Sequence, residues 1–251
     1  MLFVWEGIYQ SFADAPASGP GFSGERWRKA SEKLALQTLE DERLGRPIDF
    51  SLSQRNAVLP AVVAMTPPPA RTRILDVGGG LGTGYTFLRS ALKCVDRISY
   101  DVVEVDDICR LGTAYFADYP GIRFLNDLPT QKGAYDIIYM ASALQYIGAW
   151  QDFLGVIAGL DAEYVLLSDV LAARDRSFVT LQNYYESKIP AWFVSEKDLE
   201  ERLAQLRYKL ILELPCLPQI RGETKLPMSN FPDAFRVDHA RHFLFQKMSV
   251  T

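Results

Sequence analysis

The sequence has few cysteines, and this scarcity excludes two kinds of site. The 251 residues contain three cysteines, Cys94, Cys109 and Cys216, with no CxxC spacing among them. Such a set gives neither a disulfide framework nor a zinc site, and it is typical of reduced, buried thiols. We therefore expect a cytoplasmic protein without a bound metal.

The sequence also lacks long apolar runs and an excess of positive charge. The apolar run at 57–65 contains Pro60 and is far shorter than the roughly 20 residues that span a bilayer. The N-terminal MLFVWEGIYQ has no basic segment, and its apolar part is too short for a signal peptide. A net charge of −4 does not provide the positive surface that long nucleic acids require. Neither a membrane span nor a nucleic-acid partner is expected.

The first 66 residues are predicted to form a helical N-terminal extension. In GERWRKASEKLALQTLEDERLG, Trp27, Ala30 and Leu34 recur at helical spacing, and Gly45 follows as a helix end. A second helix is predicted over 53–65. Three prolines at Pro67–Pro69 favour an extended linker, so a second domain is placed at 71–251.

Short β-rich runs alternate with helical stretches in this second domain. The predicted strands are 73–77, 97–105, 122–125, 135–141 and 163–170, and two more follow at 208–214 and 241–247. Alternation of this kind is typical of βαβ units, in which helices cover a mostly parallel sheet. The fold class is therefore α/β.

The stretch ILDVGGGLGTGY places a glycine-rich turn directly after the first of these strands. Such a turn directs backbone N–H groups and a helix start at one spot beyond the end of the strand. The dinucleotide fingerprint GxGxxG is absent, because Thr83 and Tyr85 stand where its third glycine would be. No GK[ST] follows, so the loop is not a Walker A loop either.

The pattern Asp76-Val-Gly78-x-Gly80-x-Gly82 resembles the first motif of class I S-adenosylmethionine-dependent methyltransferases. The resemblance implies a Rossmann-like, seven-stranded, mostly parallel sheet and S-adenosylmethionine as the cofactor. It also implies that Asp76 and the glycine loop hold the methionine part of that cofactor. A carboxylate suits the amino group and the sulfonium there, whereas it would repel a pyrophosphate.

Polar residues follow the next two strands of the predicted sheet. Glu104 comes 22 residues after Gly82, where a carboxylate can accept hydrogen bonds from both hydroxyls of a ribose. In the resembling family, an Asp or Asn after the third strand commonly faces the adenine. Asp127, or Asn126 beside it, matches that position, although the pair can equally form a turn before Pro129.

The tip of the fourth strand is expected to face the methyl group, with Ser142 near the cofactor and Gln145 and Tyr146 near the acceptor. A general base is needed only for some acceptors, and the candidates are Tyr146 and the two histidines, His239 and His242. Both histidines also suit ordinary surface or packing positions.

Residues 170–194 interrupt the alternation and are predicted to be a lid-like insertion. Gln182, Asn183 and Tyr184 combine flat apolar surfaces with hydrogen-bonding groups, which suits sugars or planar hydroxylated substrates. A satellite core beneath a long loop is the alternative. The N-terminal Trp5–Tyr9 segment resembles a bacterial methyltransferase subset linked to surface-polysaccharide biosynthesis.

The sequence thus predicts a methyltransferase that acts on oxygen or nitrogen of a small-molecule or glycan acceptor. Two other classes of protein stay open. One is a non-catalytic binding module that keeps the fold. The other is a nicotinamide-dependent oxidoreductase, which the missing third glycine disfavours.

Overall fold

The structure, a computed structural model, describes residues 3–65, 71–92, 95–217, 220 and 222–249. The helices are α1 Glu25–Arg43, α2 Phe50–Asn56, α3 Leu59–Met65, α4 Thr83–Ala91, α5 Asp106–Tyr115, α6 Trp150–Gly159 and α7 Glu196–Gln205. The strands are β1 Trp5–Tyr9, β2 Thr72–Val77, β3 Ile98–Val103, β4 Ile122–Leu125, β5 Ile137–Ala141, β6 Tyr164–Val170, β7 Ala172–Ala173, β8 Phe178–Tyr184, β9 Ser187–Ser195, β10 Tyr208–Cys216 and β11 Ala240–Lys247. The predicted linker at Pro67–Pro69 lies outside the described residues, and so does Cys94. The other two cysteines, Cys109 and Cys216, are buried free thiols, as predicted.

The main sheet confirms the predicted α/β class. Within the described residues, seven strands pair in the order β10-β11-β6-β5-β2-β3-β4. The pairs among β2, β3, β4, β5 and β6 are parallel, and β11 lies antiparallel between β10 and β6. All residues of β6 are buried, as expected of a central strand that is covered on both faces.

Alternate residues of the central strands build two cores, one on each face of the main sheet. Ile74 of β2 lies with Leu88 and Tyr100 in the core that α3 and α4 cover. Leu75, the next residue, lies with Trp150 in the core that α6 and α7 cover. The strand ends that carry the glycine loop are therefore fixed from both sides.

The helix predicted over 53–65 is two helices, α2 and α3, so that prediction was wrong. Pro60 is the second residue of α3. Its ring lacks an N–H and would clash with the carbonyl of Asn56 if one helix continued through this point. No helix in the described part of the chain is long and apolar enough to cross a membrane.

A second sheet joins the N-terminal segment to the insertion at 170–194. The N-terminal segment contains α1, α2 and α3, as the predicted helical extension requires, but it also contributes β1 to this sheet. Within the described residues it has four strands, in the order β1-β8-β9-β7. A two-residue turn, Tyr185 and Glu186, joins β8 to β9, and β1 pairs antiparallel with β8. The predicted insertion at 170–194 contains β7, β8 and most of β9, because aromatic and β-branched residues there favour strands. Its role as a lid stays a prediction.

Candidate functional site

The glycine loop connects β2 to α4 and turns sharply before the helix. Gly82 is the N-cap of α4, with φ +73°, a conformation that residues with a Cβ rarely adopt. A Cβ on Gly82 would also lie 2.9 Å from Cδ1 of Ile122. The turn and the packing explain this glycine, which is not among the residues that line the main cavity. A ligand contact of Gly82 stays a prediction.

The carboxyl group of Asp76 lies buried beneath the glycine loop. The side chain of Asp76 is only 1% exposed, and its Oδ2 accepts a hydrogen bond of 2.6 Å from the Tyr100 hydroxyl. A Cβ on Gly79 would lie 2.2 Å from the same oxygen, so the loop can approach this closely only as glycine. Among the described residues, Oδ1 has no hydrogen-bond partner. Burial raises the pKa of Asp76 to about 7.

Glu104 follows β3 directly and reaches the glycine loop. Its Oε1 accepts the backbone N–H of Gly80 at 3.1 Å, and its Oε2 accepts the N–H of Val105 at 3.0 Å. Burial raises the pKa of Glu104, and the two backbone donors oppose that shift. The ends of β2 and β3 therefore present two acidic side chains around one loop.

A cavity of about 580 Å³ extends from this loop across the strand ends. Its volume falls within the roughly 300–1,000 Å³ of small-molecule sites. Among the residues predicted from the sequence, those that line it are Asp76, Gly78, Gly80, Glu104, Ser142, Gln145, Tyr146, Gln182 and Tyr184. Side chains from both sheets therefore meet in one place.

Two of the predicted ligand contacts lie away from this cavity. Asp127 is exposed beyond β4, and the neighbouring Asn126 donates from its amide to the Asp106 carboxylate at 2.9 Å. Asn183 donates from its side-chain amide to the backbone carbonyl of Phe3 at 3.0 Å. Asn183 therefore holds the N-terminal segment against β8. A substrate contact of Asn183 stays a prediction. The adenine contact of Asp127 stays a prediction.

Neither histidine lines the main cavity. His239 is half-buried, its Nδ1 lies 3.2 Å from the carbonyl oxygen of Thr224, and it borders a separate, smaller cavity. His242 is buried on β11, where burial lowers its pKa. The geometry therefore does not favour either of them as a base for the main cavity. In the described part of the chain, no three His, Cys, Asp or Glu residues are grouped as metal ligands.

Tyr146 does line the cavity, but its hydroxyl is already engaged as a donor. It donates to Oε1 of Gln182 at 2.7 Å and so ties the tip of β5 to β8. Burial raises the pKa of Tyr146, which keeps the hydroxyl protonated at neutral pH. Its position favours binding of an acceptor over removal of a proton.

The sequence reasoning missed an ion pair in the cavity. Arg55 of α2 donates from Nε to Oδ2 of Asp169 at 3.0 Å, and the Ser142 hydroxyl donates to the same oxygen. Both charged residues line the cavity. One signal was present in the sequence: Asp169 is a carboxylate inside a mostly apolar strand, near its carboxyl end. No pattern pointed to Arg55, because it lies far away in the sequence.

Aromatic residues of the N-terminal segment also line the cavity. The ring centroid of Phe22 lies 4.8 Å from that of Tyr146, 5.9 Å from Tyr184 and 5.5 Å from Trp27, all in edge-to-face contacts. Such pairs stabilise one another beyond the area they bury. The N-terminal segment is therefore fixed against the hairpin of β8 and β9 at the mouth of the cavity.

Three of the solved structures that this chain resembles are methyltransferases. A 1,6-didemethyltoxoflavin-N1-methyltransferase from Burkholderia thailandensis, with bound 1,6-didemethyltoxoflavin and S-adenosylhomocysteine, is 14% identical; the match covers 96% of this chain and all of that one, with a TM-score of 0.56. A magnesium protoporphyrin IX methyltransferase from Synechocystis PCC 6803, with bound S-adenosylhomocysteine, is also 14% identical. That match covers 83% of this chain and 86% of the other, with a TM-score of 0.53. An S-adenosylmethionine-dependent methyltransferase from Clostridium acetobutylicum is 12% identical. That match covers 85% of this chain and 98% of the other, with a TM-score of 0.52.

These likenesses show the class I methyltransferase fold, as the glycine motif predicts. No protein-family model matches the chain, and no curated protein matches its sequence. At this level of identity the solved structures establish the architecture alone.

Proposed function

We propose that this chain is an S-adenosylmethionine-dependent methyltransferase that acts on oxygen or nitrogen of a small-molecule or glycan acceptor. The observation that carries the proposal is the meeting of the glycine loop, Asp76 and Glu104 in one cavity at the strand ends. The class I methyltransferase fold of the chain supports it, since two of the solved structures above hold S-adenosylhomocysteine.

The residues present fit this cofactor. Asp76 has a buried oxygen without a partner, which suits the amino group of the methionine part. Glu104 has a carboxylate beside the loop, which suits the ribose hydroxyls. The proposed cofactor residues are Asp76, Gly78, Gly80, Gly82, Glu104, Asp127 and Ser142. When bound, S-adenosylmethionine supplies a methyl group on a positively charged sulfur.

The chain contributes alignment and exclusion of water. Methyl transfer requires the acceptor atom in line with the carbon–sulfur bond, and holding it there in a closed cavity can supply much of the rate. We propose that the hairpin of β8 and β9 acts as a lid and that residues 1–66 form a cap. Gln145, Tyr146, Gln182 and Tyr184, which line the cavity beyond the glycine loop, are the proposed acceptor contacts.

Calorimetric titration of the purified protein with S-adenosylhomocysteine, and separately with NAD⁺, tests this function. The proposal predicts binding of S-adenosylhomocysteine in the micromolar range and none of NAD⁺. Binding of NAD⁺ alone would support the oxidoreductase instead. No binding of either would favour a non-catalytic module.

Two finer assignments have support from the sequence alone. We propose a cytoplasmic location because the cysteines are sparse and show no disulfide spacing. We propose a role in bacterial surface-polysaccharide biosynthesis because of the N-terminal Trp5–Tyr9 resemblance. Loss of a surface glycan modification on deletion of the gene would test the second assignment.

A further inference from the structure

An ion pair lies in the cavity beyond the proposed cofactor residues. Arg55 and Asp169 are joined through Nε and Oδ2 at 3.0 Å, and the Arg55 side chain is 35% exposed. Within the described residues, the two Nη groups of Arg55 have no hydrogen-bond partner. Arg55 and the Ser142 hydroxyl both donate to Oδ2 of Asp169, and neither donates to Oδ1. The pair therefore presents free N–H donors beside a carboxylate.

The backbone under this pair is strained. Ser142 has φ +53° and Asp169 has φ +52°, in the left-handed region that favours glycine. A residue with a side chain rarely adopts that conformation, because its Cβ comes too close to the following carbonyl oxygen. Strain of this kind persists only where the surroundings enforce it, and it clusters at functional sites. Here the strained backbone places the Ser142 hydroxyl where it donates a hydrogen bond to the Asp169 carboxylate.

The strand order places this pair on the acceptor side. The proposed cofactor residues lie at or beyond the ends of β4, β3, β2 and β5, which are consecutive in the sheet. The next strand is β6, and Asp169 lies near its carboxyl end. Across the sheet, Asp169 therefore lies one strand beyond Ser142, at whose position the methyl group is expected.

Flat apolar surfaces and unpartnered polar atoms surround the pair. Phe22 and Tyr146, in edge-to-face contact, line the cavity together with Trp5. Gln145 is 3% exposed; its amide nitrogen donates to the Asp169 carbonyl at 3.2 Å, and its Oε1 has no partner among the described residues. The indole N–H of Trp5 is likewise buried without one. These atoms indicate a ligand that carries both donors and acceptors.

We infer that the acceptor is a planar ring compound with an N–H or O–H next to a carbonyl, and that Asp169 receives its proton while Arg55 binds its carbonyl. This inference rests on the proposed methyltransferase function. The aromatic side chains offer surfaces for a flat ring. A carboxylate beside a guanidinium matches the adjacent donor and acceptor of such a ring edge.

The proposed step balances without a further reactant. The ring nitrogen or oxygen forms a bond to the methyl carbon as the carbon–sulfur bond breaks, and the sulfonium becomes a neutral thioether. The proton of the ring N–H or O–H passes to Asp169. Arg55 stabilises the negative charge that develops on the ring carbonyl oxygen while the proton leaves.

The test measures binding to protein saturated with S-adenosylhomocysteine, using 2-quinolone, N-methyl-2-quinolone and methyl glucoside as probes. The inference predicts that 2-quinolone binds about 10- to 100-fold more tightly than N-methyl-2-quinolone, because only the first can donate to Asp169. It also predicts weaker binding of methyl glucoside. Equal binding of the two quinolones, no binding of either, or a preference for the sugar would overturn it.

Variants test whether the ion pair causes the preference for 2-quinolone over N-methyl-2-quinolone. Asp169→Asn should remove the difference between the two quinolones and leave the affinity for S-adenosylhomocysteine within about threefold, which also shows that the variant is folded. Asp136→Asn is the matched control, because Asp136 pairs with Arg73 at 2.7 Å and does not line the cavity. It should keep the full difference. A difference that survives in Asp169→Asn would contradict the inference.

Failure of the proposed function is distinguishable from failure of this inference. If S-adenosylhomocysteine does not bind the wild-type protein, the methyltransferase assignment itself is wrong. If it binds and the quinolones do not differ, only the acceptor class and the role of Asp169 are wrong.

Discussion

At the scale of single residues, the site depends on carboxylates that are held away from water. Burial raises the pKa of Asp76 to about 7, whereas an aspartate in an unfolded chain titrates near about 3.9. The folded protein therefore binds the proton more tightly than the unfolded chain. The resulting contribution to stability is full below about pH 3.9 and is lost as the pH rises to about 7.

Asp76→Asn removes this titration and keeps an oxygen that can accept from Tyr100. We predict that the free energy of unfolding of Asp76→Asn rises relative to wild type between about pH 4 and pH 7, by on the order of a few kcal/mol. Above about pH 8 the difference should be constant. Urea unfolding at several pH values measures it. A difference that does not change with pH would show that Asp76 titrates normally.

Glu104→Ala tests the other acidic side chain. If Glu104 accepts from the ribose, its loss should weaken S-adenosylhomocysteine binding by at least about 30-fold, because two charge-assisted hydrogen bonds disappear. Calorimetry gives the affinity, and thermal unfolding shows that the domain stays folded. Asp107→Ala is the control, because Asp107 is an exposed acid in the first turn of α5. Equal affinities of Glu104→Ala and wild type would exclude the ribose contact.

At the scale of elements, the start of α4 depends on one glycine. Gly82 and Gly133 both have positive φ, +73° and +65°, so alanine at either position costs about 1 kcal/mol or more. A Cβ on Gly82 also meets buried Ile122 and Phe116, whereas a Cβ on Gly133 meets nothing within 4 Å. We predict that Gly82→Ala is the more destabilising in urea unfolding. Equal losses would mean that the backbone conformation alone matters.

The second sheet depends on how β1 is anchored to the hairpin. Trp5 is 2% exposed and contacts Phe193 edge to face at 5.7 Å, whereas Ile8 on the same strand is 39% exposed. Trp5→Ala should cost about 3–5 kcal/mol of stability and speed amide hydrogen exchange in β8 and β9. Ile8→Ala should change both only slightly. If Trp5→Ala leaves exchange in the hairpin unchanged, β1 does not anchor the hairpin.

At the scale of the whole molecule, the sequence predicts what local patterns encode. The main sheet and the glycine turn follow from runs such as 163–170 and from Asp76 to Gly82, where neighbours in sequence decide the structure. The break at Pro60 was missed although its cause is local, because the apolar spacing continues across it. The strands of the hairpin were missed because the two amide side chains at 182–183 interrupt the apolar pattern of the segment.

The parts of the site that could not be predicted are contacts between distant segments. Arg55 and Asp169 meet only because α2 packs near the end of β6, and Phe22 meets Tyr146 only because the N-terminal segment folds back over the sheet. His242 is buried on β11, which is the packing position that the sequence allowed, but the sequence could not decide between this position and one in the cavity. Composition and spacing carry no information on such pairings.

The central claim is that one cavity, built from both sheets, binds S-adenosylmethionine at the glycine loop. The most direct test is a crystal structure of the protein with S-adenosylhomocysteine. The account predicts the ligand across the ends of β2 and β3, with the Glu104 carboxylate on the ribose hydroxyls. Ligand in the smaller cavity beside His239, or none at a saturating concentration, would contradict it.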